Sequence, residues 1–187
     1  MKRFALSRKG IGGVPLILVL VVVFAGAFFL YRNWQSGLET KMAAPGPSGF
    51  RTAPPFSLKD TNGNFYSSSQ FAGKPAVINF FATWCPPCRE EIPALVRARD
   101  KMLASGVEFV GIAIDNVAKV VEFARNVRIS YPLLMADATG LDLVRKLGNP
   151  SGGLPFTVVL DRKGGIAHRN LGAITEQKIE DQLRPML

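Results

Sequence analysis

The stretch Ala76-Val-Ile-Asn-Phe-Phe-Ala-Thr-Trp-Cys-Pro-Pro-Cys-Arg-Glu-Glu-Ile-Pro93 decides how the rest of the chain is read. Its first six residues form a short apolar run with no helical period, which reads as a strand buried on both faces. After a turn, a helix is expected from about Pro87 to residue 104. Residue 86 precedes a proline, which disfavours α geometry there, so Pro87 is the expected first helical residue. Pro93, inside that helix, is expected only to kink it.

The two cysteines thus sit beyond the carboxyl end of a strand and at the start of a helix, where open α/β sheets place their ligands. A thiol at a helix N-terminus faces unpaired N–H groups and the positive end of the helix dipole, which favours the thiolate. Cys85 is the expected nucleophile, and Cys88, one turn on and less exposed, its resolving partner. Pro86 and Pro87 each fix φ near about −65° and remove an N–H, so the loop is stiff and offers the Cys85 sulfur fewer donors. Three other readings compete. A structural disulfide closing so short a loop would restrain the unfolded chain little. A metal site would need ligands beyond two cysteines and the single histidine, His168. Two inert buried cysteines are the third. The Trp84 neighbour, the strand-turn-helix setting and the export signal described below favour redox chemistry.

Glu91 is marked by spacing. Positions 88, 91, 92 and 95 follow i, i+3, i+4, i+7, so Glu91 shares a stripe with Cys88, Ile92 and Leu95 while Glu90 points elsewhere. A carboxyl on an apolar stripe is expected to titrate high and to exchange a proton with Cys88. The competing reading is a solvated glutamate of the first turn.

Outward from this centre the pattern alternates between α and β. Residues 56–59 and 65–66 read as a hairpin turning at 61–64. Residues 107–114 read as a second buried strand. A helix follows with Val117, Val120, Val121, Ala124 and Val127 on one stripe. Residues 131–136 suggest a strand, 140–147 a short helix, and 156–160 with 166–169 an antiparallel pair. A last helix runs to about Leu183 with Thr175 as its N-cap. This order implies a mixed sheet covered by helices on both faces. His168 reads as an ordinary surface residue on an edge strand.

The remaining sequence precedes the domain. Residues 11–31 carry no charge and are long enough, at about 1.5 Å per residue, to cross a hydrocarbon core of about 30 Å. Lys2, Arg3, Arg8 and Lys9 stand before this run, whereas residues 32–47 hold only Arg32 and Lys41 against Glu39. The expectation is a single membrane-spanning anchor with residues 1–10 cytoplasmic and everything after Tyr31 exported. A cleaved leader competes, because Ala25-Gly26-Ala27 has the small-x-small form of a cleavage site, but the apolar run continues through Tyr31. Residues 32–53, rich in Pro, Gly and Ala, read as a linker, and 54–187 as one domain. The chain of 187 residues has a net charge of +9, and its apolar half excludes disorder. About half of that charge belongs to the first forty residues. The rest is scattered without basic-aromatic clusters, so no nucleic-acid partner is expected.

Residues 77–93, taken with Gly153-Leu-Pro-Phe-Thr-Val-Val-Leu-Asp161, resemble the TlpA/ResA-like membrane-anchored thioredoxins. The likeness combines the CxxC, a proline five residues after its second cysteine and a Pro-x-Thr strand, and it extends from about Pro54 to the end. It implies a thioredoxin-like fold with an extra N-terminal hairpin and a domain facing the periplasm from the inner membrane. Pro155 matches the family's cis-proline, and Leu154 before it can offer backbone hydrogen bonds to an incoming peptide. Trp84, Pro86, Pro87, Leu154 and Pro155 form the implied client-contact set, with Trp84 a contact surface or a packing residue. Glu91 matches the family's acid. Where cytoplasmic thioredoxin has a buried aspartate this chain has Asn79, which cannot ionise, so proton handling falls to Glu91.

The expected activity is thiol:disulfide exchange in the reducing direction on exported clients, such as cysteines of apocytochromes c or copper sites. Electrons would come from a membrane thiol transporter, and no cofactor beyond the Cys85–Cys88 couple is expected. The alternatives are an oxidant that introduces disulfides and a thioredoxin-fold metal chaperone or binding module.

Overall fold

In the computed structural model the described residues are Gly26 and 52–187. The expected segments 1–10 and 11–31, Gly26 apart, and most of the linker 32–53 lie outside the described residues. Among the described residues no helix is long and apolar enough to cross a membrane. Thr52 bridges to Gly165, and the Ala53 N–H donates to the Gly164 carbonyl at 2.9 Å, which ties the entering chain to a distant turn.

Strands β1 (Ser57–Lys59) and β2 (Phe65–Ser67) pair antiparallel. Asp60 builds their turn by accepting from the N–H groups of Asn62 and Asn64 at 2.8 and 2.9 Å, an Asx turn that needs the positive φ of +87° at Gly63.

The main sheet comprises β3 (Ala76–Phe81), β4 (Glu108–Ala113), β5 (Leu133–Met135), β6 (Phe156–Leu160) and β7 (Ile166–Leu171), in the order β5-β4-β3-β6-β7. β3 runs parallel to β4 and antiparallel to β6, so it lies in the middle of a mixed sheet, and every one of its residues is buried. The helices are α1 (Pro86–Met102), α2 (Val117–Val127), α3 (Ala138–Lys146) and α4 (Glu176–Leu183).

Alternation along the strands separates two cores. Val77 and Phe81 of β3 pack with Ile92 and Leu95 of α1, Val120 of α2 and Ile179 and Leu183 of α4. Ala76, Ile78 and Phe80 turn the other way, toward Leu143 and Val144 of α3 and Leu58 of β1. Each such large side chain contributes about 1.5–3 kcal/mol when fully buried.

Three local expectations need correction. The first helix begins at Pro86, not Pro87. Cys85 is its extended N-cap, with the Cys85 carbonyl accepting from the Arg89 N–H at 3.2 Å. A proline already has a helical φ and lacks the N–H that a first turn leaves unpaired, and these advantages outweigh the restriction imposed by Pro87. The α-helix also stops at Met102, a 3₁₀ turn, Leu103–Ser105, completing it ahead of Gly106 at φ +71°. Finally, only Val120 of the α2 stripe is fully buried, and Val117 is exposed. Val117 opens the helix, and its Cα–Cβ bond tilts toward the helix N-terminus, past the packed turns.

Candidate active site

The carboxyl end of β3 leads through Ala82 and Thr83 into Trp84-Cys85, and a disulfide joins Cys85 to Cys88 at the start of α1. Cys85 retains 5% of its surface and Cys88 none, whereas Trp84 beside them is 66% exposed. Pro86 and Pro87 are exposed as well. The approach to the motif is clamped by Asp115, just past β4. Its Oδ2 accepts from the Thr83 N–H at 3.0 Å and also from the Thr83 hydroxyl. These bonds hold the Asp115 carboxyl below the usual carboxylate range against the opposing effect of desolvation.

The Leu154–Pro155 peptide is cis. The loop carrying it is held on both sides. The Asn149 side-chain amide donates to the Gly153 carbonyl at 2.8 Å, and the Gly172 N–H donates to the Pro155 carbonyl at 2.8 Å. Asn149 is itself fixed by the Ser151 hydroxyl, 2.8 Å from its Oδ1. The partly buried Leu154 side chain packs against both cores.

Beneath Cys88, Glu91 is only 3% exposed on the buried stripe of α1. Its Oε1 accepts from Asn79 Nδ2 at 2.7 Å and its Oε2 from the Ile174 N–H at 2.9 Å. Burial pushes the Glu91 carboxyl up to about 7, with these two donors pulling the other way. The stripe read from spacing is therefore real, and Glu91 is not a solvated first-turn residue. Asn79 Nδ2 also donates to Thr157 Oγ1 at 2.9 Å, while Asn79 Oδ1, though buried, meets no partner. Tyr131 is buried near the same charge, and burial with the Glu91 carboxylate raises its phenol.

Among the described residues no group of three or more His, Cys, Asp or Glu could hold a metal ion. His168 lies on β7 opposite Val159, its imidazole lowered by partial burial and by Lys178.

Residues 49–183 match the Redoxin family. The chain belongs to that family. This redoxin is 30% identical to the thiol:disulfide interchange protein DsbE of Pseudomonas aeruginosa, over 96% of its own length and 93% of the relative's. It is 28% identical to the thiol-disulfide oxidoreductase ResA of Bacillus subtilis, over 89% and 88%. A solved thioredoxin-family thiol:disulfide interchange protein from Chlorobium tepidum superposes with a TM-score of 0.64 at 32% identity, covering 72% of this redoxin and 94% of that chain. The fold is thioredoxin-like, and the enzyme is a thiol-disulfide oxidoreductase of the ResA/DsbE type.

Three residues of this redoxin's site escaped the sequence reading. Thr157 carried a signal as the last member of Pro-x-Thr, and Asp115 one as a carboxylate at the end of a buried strand. Nothing in the sequence marked Asn149.

Proposed function

We propose that this redoxin is a membrane-anchored reductase of exported protein disulfides, working through Cys85 and Cys88 with Glu91 as proton acceptor. The observation that carries the reading is the graded burial at the start of α1. One sulfur borders solvent, the other is sealed, and a carboxyl able to titrate near neutral pH lies one turn further along.

In the reduced enzyme the Cys85 thiolate attacks a client disulfide; a Cys85–client S–S bond forms and the first client sulfur leaves with the electron pair. Glu91 then takes the proton of the Cys88 thiol. The Cys88 thiolate attacks the Cys85 sulfur, the Cys85–client bond breaks, and the second client sulfur leaves. Both released sulfurs take protons from solvent. Two electrons have passed to the client, and the enzyme ends as the Cys85–Cys88 disulfide. The dithiol itself carries the electrons, so no cofactor is required.

The other elements have roles consistent with this sequence. Leu154, in a loop fixed on both sides, presents backbone to an extended client, with the cis Pro155 buried behind it and Trp84, Pro86 and Pro87 exposed on the motif's side of the entry. The uncharged run 11–31 would hold the domain at the inner membrane with its catalytic end in the periplasm. A membrane thiol transporter is the corresponding electron donor, and cysteines of apocytochromes c or copper sites are the corresponding clients.

Trapping with Cys88→Ser tests the proposal, because the stalled Cys85 mixed disulfide identifies the client. Recovery of exported proteins with paired cysteines is the expected result. Full exchange activity in Cys85→Ser would overturn the assignment. Direction is read from the reduction potential: a value near about −270 mV fits a reductase, and one near about −120 mV would make the enzyme an oxidant.

A further inference from the structure

Asn79 occupies the middle of the central strand, where an apolar residue would pack without an unpaired polar atom. Its cross-strand neighbours explain its state. Thr157 on β6 is in register on one side and receives one Nδ2 bond, whereas Gly111 on β4 is in register on the other and has no side chain to offer. A Cβ at Gly111 would lie 2.6 Å from Leu133 Cδ2 and 3.3 Å from Tyr131 Cε2, so that space is already filled. Both Nδ2 protons are therefore used, on Glu91 and Thr157, and Oδ1 stays unpaired. A buried acceptor left without a partner calls for an explanation.

The arrangement suits an ionised Glu91, whose two oxygens each receive a donor. It does not suit the protonated acid, which needs an acceptor. The Ile174 N–H cannot become one. The Asn79 amide can, because O and NH₂ exchange places without changing shape, and the Thr157 hydroxyl can equally accept or donate.

We propose that Asn79 is a positioning residue for proton transfer at Glu91: it donates to the carboxylate and, turned end for end, accepts from the acid, with Thr157 reversing its own bond in step. The inference rests on the reading of Glu91 as proton acceptor for Cys88. The proton goes to Glu91 Oε1 as the Cys88 thiolate forms, and leaves to water once the Cys85–Cys88 bond has closed.

The groups facing Glu91 are few. Cys88 lies above it on α1, Asn79 and Thr157 on the sheet, the Tyr131 phenol before β5, and the Ile174 N–H before α4. Along the cleft between α1 and α4 stand Glu90, Arg97, Lys101, Glu176 and Glu180. Lys101 pairs with Glu176 and Glu180, and Arg97 with Glu176, so these cations are engaged with each other's partners.

The test uses the full chain. The Glu91 carboxyl is titrated by carbon-13 NMR, and the pH profile of insulin disulfide reduction is recorded. Asn79→Leu is expected to raise the Glu91 midpoint by roughly one pH unit and to move the rate profile with it. Thr157→Val should shift both in the same direction by less. In a Glu91→Gln background Asn79→Leu should leave the profile unchanged. A folded Asn79→Leu variant with the unsubstituted midpoint and profile would overturn the proposal. If that variant does not fold, Thr157→Val decides, and an unmoved midpoint there overturns it. Failure of the underlying functional reading would look different, as an unsubstituted chain that exchanges no disulfide at any pH.

Discussion

The two faces of the main sheet are buried to the same depth and built from the same strands, yet they differ in kind. On the α3 side Ile78, Phe80, Ile112, Leu134, Phe156 and Val158 make an interior of hydrocarbon alone. On the α1 side the alternate residues of those strands include Asn79 and Thr157, and the helix above them contributes Glu91 and Cys88, with Cys85 at its N-cap. Burial of hydrogen-bonding groups is costly unless they are paired. One face therefore stabilises the domain, and the other gives up some stability for chemistry. Comparing the faces of one strand locates the chemistry better than ranking residues by burial.

That contrast can be broken by experiment. The largest effect is expected on the apolar face. Phe80→Ala should cost about 3–5 kcal/mol of stability by denaturant titration, while the folded fraction keeps its exchange rate. A comparable loss of exchange per folded molecule would mean that the faces are not separate in function.

Next comes Glu91, on the other face. Its carboxyl is raised in the folded state, so the native protein holds a proton that the unfolded chain releases at lower pH. The resulting stabilisation is present in full below about 4.5, the ordinary value of a glutamate carboxyl, and is lost as pH rises through about 7. Its size is on the order of 3 kcal/mol. Unfolding measured at pH 4 and at pH 8 should show this decline in the unsubstituted protein and not in Glu91→Gln, which should also slow exchange. Parallel curves for the two proteins would place Glu91 among ordinary solvated carboxylates.

Smaller effects lie at the edges of the site. Asp115→Ala removes the clamp on Thr83 and should cost about 1 kcal/mol. Because that carboxyl is depressed in the folded state, its contribution is present above the ordinary aspartate range and fades on acidification. Least of all, Lys101→Ala should change stability only slightly in denaturant titration, an effect that fades further in salt, because the ammonium end of its pairs with Glu176 and Glu180 is exposed.

The sequence revealed these features unevenly, and the pattern has a physical basis. β3 was legible to the residue because six consecutive buried positions have no helical period. Glu91 was legible because helical spacing is a local rule, and its stripe with Cys88, Ile92 and Leu95 is buried throughout. The Asn79–Thr157 bond was not, since it joins residues 78 positions apart. It depends on the register of β6 against β3, which no local pattern encodes. The same holds for Thr83 with Asp115, 32 positions apart. The start of α1 was misplaced because two proline rules conflict at residue 86, and only the backbone decides between them.

The complete burial of Cys88 has a kinetic meaning. A sulfur with no accessible surface cannot meet a molecule arriving from solution, whatever that molecule's concentration. It can react only with the Cys85 sulfur, once that sulfur is bonded to a client. The first exchange is then second order and its rate depends on client supply, whereas the second is first order and indifferent to it. Diluting the client should slow capture without slowing release, and a captured client that is not released within the lifetime of one complex would reveal a defect inside the enzyme rather than a shortage outside it.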